Sequence, residues 1–159
     1  MTQEQKERLL RETEKLHNRH LLSETAGKDY YEPGMMEYPE QYDGYYDETS
    51  NELILYFDLQ GTRYEGRSER IEKVKTGDRV ILKRDVTNVF DQNSFLIMTE
   101  KGWDIGYMPS ELSAALAPLY DAEELCFDAS CISYVEPISV RSRYAEQAIV
   151  FVKLKVQIL

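Results

Sequence analysis

Two cysteines and two histidines in 159 residues leave this chain little of the usual equipment for metal binding, disulfide stapling or thiol catalysis. Cys126 and Cys131 lie five apart in a stretch that alternates like a strand, and an odd separation directs them to opposite faces. No histidine is near them in sequence, so two buried thiols are expected in place of a shared ion. His17 and His20 sit one helical turn apart near the N-terminus, but no carboxylate-plus-His-pair motif surrounds them, and no metal or other cofactor is assigned. No apolar run approaches the roughly 20 residues of a membrane helix. The N-terminus mixes Glu4, Glu7, Glu12 and Glu14 with its bases where a signal peptide would be apolar, and a cytoplasmic protein is expected. The chain has no Gly-x-x-x-x-Gly-Lys-Ser/Thr loop, no nucleophile–base pair of recognisable spacing and no zinc-ligand cluster, so it is not read as an enzyme.

Positive charge is also scarce. Lys and Arg number 19 against 29 Asp and Glu, a net charge of −10. The deficit is unevenly spread. Residues 29–50 carry seven carboxylates, no base and six of the twelve tyrosines, the composition of a solvated acidic arm. Pro33, Gly34 and Gly44 argue for turns there. Residues 61–84, in contrast, hold eight bases against four acids, so one face can be locally positive within a Debye length of about 8 Å. The plain alternative is an exposed surface of alternating charges joined by ion pairs.

Periodicity divides the chain into a helix, the arm and a β domain. Residues 3–22 place Leu9, Leu10, Leu16, Leu21 and Leu22 on one side of an amphipathic helix, within an N-terminal unit spanning 1–28. The arm occupies 29–50. From 51 to 159 the period is two. Strands are expected around 53–59 and 80–83, at 95–99 and 104–107 as a hairpin about Lys101-Gly102, at 125–135, and at 149–158. One helix interrupts them, opened by Pro109 and carrying Leu112, Ala115, Leu116 and Leu119, with Pro118 forcing a kink or an early stop. The fold expected is mainly β: a small, OB-like, partly open barrel of about six strands with one inserted helix.

Five elements then stand in order: Gly61-Thr62-Arg63-Tyr64; Gly77-Asp78 before a strand ending Lys83-Arg84-Asp85; Asn88-Val89-Phe90-Asp91-Gln92-Asn93-Ser94; Ile105-Gly106-Tyr107; and the Leu- and Ala-rich helix after Pro109. In this order and spacing the segment resembles the HIRAN domain, the module at the N-terminus of helicase-like transcription factor that also occurs as short bacterial proteins. The resemblance is good over 53 to about 121, loose over the last strands, and leaves 1–50 unmatched. It implies an OB-related domain that captures the 3′ end of single-stranded DNA in a DNA-repair setting, with RNA left open as a partner. The implied site is Arg63 on a phosphate, Tyr64 and Phe90 stacking on bases, Asn88 ordering its loop or touching the backbone, and Asp91 accepting a hydrogen bond from the terminal 3′-hydroxyl.

Three positions depart from the family pattern. Phe90 replaces a tyrosine, Tyr107 stands where a histidine follows the glycine, and Ser110 falls where a lysine can lie near the helix start. Ser110 keeps a hydroxyl and the free N–H groups of a helix N-terminus. With few bases available, binding on the order of micromolar or weaker, and strongly salt-dependent, is expected. ATPase and helicase activity belongs to the fused relatives. The competing reading is a regulatory adaptor, in which residues 1–50 bind a basic protein partner or mimic DNA. Each proposed contact also has a plain counterpart: Asn88 and Asp91 as turn caps, Tyr64 and Phe90 as core aromatics, Arg63 as an ion pair with Glu65 or Glu69.

Overall fold

The computed structural model describes residues 1–25, 44–141 and 145–159, the side chains of 15–25 excepted. Helix α1 (Gln3–Thr25) begins in a reciprocal cap. Thr2 Oγ1 accepts the Gln5 N–H at 3.1 Å, and Gln5 Oε1 accepts the Thr2 N–H at 2.8 Å, satisfying donors that the first turn leaves free. The first part of its stripe lies on the domain: Leu9 is fully buried in the core, and Met1 and Leu10 pack at the margin. The N-terminal helix is therefore built into the domain that follows. Residues 29–43 of the acidic arm lie outside the described residues, but its end is β1 (Tyr45–Asp47), paired with β2 (Glu52–Asp58).

The remaining elements follow as α2 (Arg67–Ile71), β3 (Arg79–Arg84), β4 (Phe95–Thr99), β5 (Asp104–Tyr107), α3 (Ser110–Asp121), β6 (Leu125–Phe127), β7 (Ser130–Glu136) and β8 (Ile149–Ile158). All eight strands form one antiparallel sheet in the order β1-β2-β8-β7-β3-β4-β5, with β6 also on β8. The mainly β architecture matches the expectation, with eight strands where about six were expected. One addition is β1. The other arises because 125–135 is not continuous: at Asp128 the carboxylate accepts the Ala129 N–H at 2.8 Å, and the chain turns out of the ladder. The parity argument for Cys126 and Cys131 does not survive that break; both thiols are free and half-buried. Among the described residues no cluster of metal-ligating side chains occurs, and no helix is long and apolar enough to cross a membrane.

Strand β8 is the spine. Val150, Val152, Leu154 and Val156 point inward with no exposure, and Phe57, Leu55 and Leu53 of β2 register against the last three. Helix α3 fills the concave side with Leu112, Ala115, Leu116 and Leu119, all buried. It runs through Pro118 without stopping, because that residue lies near the helix end, on the exposed side; Ala122 N–H still donates to the Pro118 carbonyl at 3.1 Å. Burying each large aliphatic side chain contributes roughly 1.5–3 kcal/mol, which ties the helix to the sheet. Helix α2, a second insertion, was not legible in advance, since five residues alternating in charge carry no periodic signal.

The sheet curls until its far edge meets the chain leaving β2. Gln60 and Tyr107 exchange two main-chain hydrogen bonds, each 2.9 Å, across this gap. A single bridge of this kind leaves the sheet open, without a continuous closing ladder. Gly106 permits it: a Cβ there would sit 2.8 Å from the Gln60 carbonyl oxygen and 3.2 Å from Leu59 Cβ. Gly106→Ala should therefore destabilise the fold by on the order of 1–3 kcal/mol through forced separation of the two backbones. A urea midpoint equal to that of the unaltered chain would show that the bridge is dispensable.

Candidate nucleic-acid interface

The Gly61–Tyr64 segment follows the bridge directly and is pinned from both sides. Thr62, buried, donates its hydroxyl to the Ala148 carbonyl at 3.3 Å. Arg67 holds the other side, its side chain only 5% exposed: Nη1 donates to the Gly61 carbonyl (3.0 Å), Nε to Asp104 Oδ2 (2.9 Å) and Nη2 to Glu65 Oε2 (3.3 Å). The same guanidinium lies 5.1 Å from the Tyr107 ring centroid. On this frame Arg63 and Tyr64 turn outward. Arg63 Nη2 donates to the Tyr64 hydroxyl at 2.7 Å, and Nη1 meets Glu146 Oε2 at 3.3 Å, so its ion-pair partner is neither Glu65 nor Glu69. Tyr64 is 54% exposed and is no core aromatic.

The second loop, 85–94, joins β3 to β4. Asn88 caps its turn: Oδ1 accepts the N–H groups of Phe90 (2.9 Å) and Asp91 (3.3 Å), and Nδ2 donates to Ser94 Oγ (3.1 Å). Asp91 Oδ1 accepts the Asn93 N–H at 2.9 Å, while no partner for Oδ2 occurs among the described residues. Arg84 buttresses the loop from beneath. Its Nη1 donates to the Gln92 and Ser94 carbonyls, and Nε and Nη2 form a two-point contact with Asp121 at the end of α3 (3.1 and 2.8 Å). The result is a well-braced loop with apolar side chains facing water: Val89 is 87% and Phe90 96% exposed.

Tyr107 connects the two loops. Its hydroxyl donates to Asp85 Oδ2 at 3.4 Å at the root of the second loop, and its ring lies under Arg67 beside the first. Burial pushes its phenol above the ordinary 10.0, the Asp85 charge adds to the rise, and Arg67 opposes it. The structure thus brings Arg63 together with Tyr64, gathers Asn88, Phe90 and Asp91 in one turn, and sets Tyr107 between the groups. Ser110 stands apart, exposed on the first turn of α3 with its hydroxyl turned to Glu111 Oε2 at 3.4 Å.

The locally basic stretch changes meaning in three dimensions. Arg67, Arg70 and Arg84 are internal struts, bonded to carboxylates and main-chain carbonyls, and Arg79 meets Glu100 at 3.7 Å. Arg67, Arg84, Asp85 and Asp104 hold the site in place, yet in sequence Arg67 registers only as part of the positive run, and Arg84 and Asp85 only as the end of a motif element with no role attached. Lys73, Lys75 and Lys83 are exposed and without an ion pair among the described residues.

A curled antiparallel sheet that carries its exposed aromatics on braced loops defines an OB-like domain. The sequence profile of the HIRAN domain matches residues 54–154, and the chain belongs to that family. Among solved structures it is similar to the HIRAN domain of human HLTF (20% identity, TM-score 0.47, 65% of this chain and 76% of that one). It is also similar to a protein from Lactobacillus plantarum (16%, TM-score 0.48, 65% and 98%). A third similar structure is the HLTF HIRAN domain in its DNA-bound conformation (21%, TM-score 0.43, 65% and 75%). A comparison with curated proteins finds no match.

The Tyr107 environment gives a pH test. The folded chain holds the phenolic proton more tightly than the unfolded chain, so this residue's contribution to stability is intact below about pH 10 and is lost as the pH rises beyond it. Tyr107→Phe should remove that part of the alkaline slope in urea unfolding between about pH 9 and 11. Identical slopes for the two chains would sink the assignment.

Proposed function

We propose that this chain is a non-catalytic nucleic-acid-binding module that captures the 3′-hydroxyl end of single-stranded DNA. The observation that carries the reading is Phe90, 96% exposed on a loop whose main chain is internally hydrogen-bonded. A phenylalanine held rigidly in water gains roughly 1.5–3 kcal/mol when a partner covers it. A nucleobase is such a partner, and stacking contributes about 1–3 kcal/mol per base. Membership of a family that includes a domain solved in a DNA-bound conformation supports nucleic acid as the ligand.

In this reading Phe90 and Tyr64 stack on bases, and Arg63 leaves Glu146 for a phosphate. An exposed ion pair of this kind contributes little, so the exchange is inexpensive. Asn88 acts through the turn it caps, not by reaching the strand. The unpartnered oxygen of Asp91 accepts a hydrogen bond from the terminal hydroxyl, and a 3′-phosphate would press a second anion against it. Tyr107 acts by tying the two loops together through Asp85 and Arg67, and Ser110, apart on α3, takes no part in this surface.

Fluorescence anisotropy at low salt tests this with one oligonucleotide carrying either a 3′-hydroxyl or a 3′-phosphate. The hydroxyl form should bind more tightly. Phe90→Ala should weaken binding by roughly tenfold, within the range of one lost base stack. Asp91→Asn keeps the oxygen that caps the turn and should abolish discrimination between the two ends. Equal affinity for both ends in the unaltered chain would refute the end-capture mechanism.

A further inference from the structure

At the opposite ends of β3 and β4 from the Phe90 loop lies a cavity of about 390 Å³, within the usual size range for small-ligand sites, around the chain's single tryptophan. The β3 strand separates the two regions by roughly 20 Å, so the cavity is distinct from the surface described above. Trp103 is set by the β4–β5 turn. Its N–H donates to Thr99 Oγ1 at 3.2 Å, its carbonyl accepts the Thr99 N–H at 2.8 Å, and Gly102 takes a positive φ of 84° to close the turn. Two ammonium groups lie over the indole, Lys73 Nζ at 5.3 Å and Lys101 Nζ at 5.2 Å from the ring. Neither lysine has an ion-pair partner among the described residues.

Arg79 adds a third cation at the rim, loosely paired with Glu100 at 3.7 Å, both side chains mostly exposed. The other acid of the lining, Asp78, turns Oδ2 to the Lys75 N–H at 3.0 Å and so serves its own turn. The cavity is therefore net positive on a chain of net charge −10, and it offers one half-buried indole. An exposed lysine over a ring is held weakly and its stem is flexible, so a planar ligand can take the ring face while both ammonium groups swing to an anion.

We propose that this cavity binds a nucleotide, with the base stacked on Trp103 and the phosphate held by Lys73, Lys101 and Arg79. Such chemistry is presented equally by a free mononucleotide and by a nucleotide within a single strand. The proposal does not depend on end capture at Phe90.

Trp103 emission reads the site in the full chain. Four probes are titrated: adenosine monophosphate, adenosine, inorganic phosphate and a single-stranded oligodeoxynucleotide. Saturable quenching by the monophosphate, with adenosine and phosphate each at least about tenfold weaker, identifies a free nucleotide as ligand. Quenching by the oligonucleotide alone identifies a nucleotide within a strand. In either case the K73A/K101A double variant should weaken the response at least about tenfold, reflecting lost phosphate contacts. Both lysines are exposed, and an unchanged melting temperature confirms that this variant folds. Phe90→Ala should leave the response to the monophosphate intact, or the saturating quench by the oligonucleotide intact at lower affinity. Failure of end discrimination and failure of this site are thus separable. No change in Trp103 emission with any probe, or an undiminished response in the double variant, would overturn the proposal.

Discussion

The two hydrogen bonds between Gln60 and Tyr107 are the constraint on which the arrangement of the candidate surface rests. Their partners lie at opposite ends of a path that passes through β8, β7, β3 and β4, so the bridge records the curl of the whole sheet. The ladder shifts register between Ile97 and Met98 and between Ile132 and Tyr134, and irregularities of this kind increase the local twist of a sheet. Once they meet, the segment carrying Arg63 and Tyr64 lies beside the residue that reaches Asp85. Arg67 then secures the junction, with Gly61 and Asp104 as its hydrogen-bond partners and the Tyr107 ring beneath it. A guanidinium suits this position because its planar fork serves several acceptors at once while its face covers a ring.

The acidity of the chain and its proposed ligand are reconciled by how the cations are used. Arginines in the positive stretch are largely consumed in holding loops together, which leaves aromatic side chains and a few lysines for contact. Under the proposed function such a site would rely on stacking more than on phosphate neutralisation, with Arg63 the main source of the remaining salt sensitivity. The loop at 85–94 shows how apolar exposure is sustained. Asn88, Ser94 and Arg84 satisfy its main chain while Val89 and Phe90 face water.

Reading the sequence locates the elements whose periodicity is strong and local. Helix α1 was expected to 22 and runs to Thr25; the hairpin of β4 and β5 and the final strand were placed within their bounds; and Leu112, Ala115, Leu116 and Leu119 were correctly assigned to a helix. Elements whose definition is non-local escaped. Strand β1 exists because β2 offers it an edge, α2 is too short to show a period, and the division of 125–135 depends on a carboxylate closing back on the next N–H. The candidate side chains were likewise named by motif, but Arg67 and Asp104, 37 positions apart, have no local signature of partnership.

Sequence alone determined that this is a mainly β chain with an amphipathic helix before it, that its charge excess is acidic, and that Arg63, Tyr64, Phe90 and Asp91 sit in turn-rich segments between strands. Those properties follow from periodicity, composition and turn chemistry, which act over a few residues. Tertiary structure decided which cations are struts and which are free, that Phe90 faces water, that α1 belongs to the core, and that Lys73 lies over Trp103. Each of these depends on contacts between distant segments, and such contacts exist only after the sheet has curled and its edges have met.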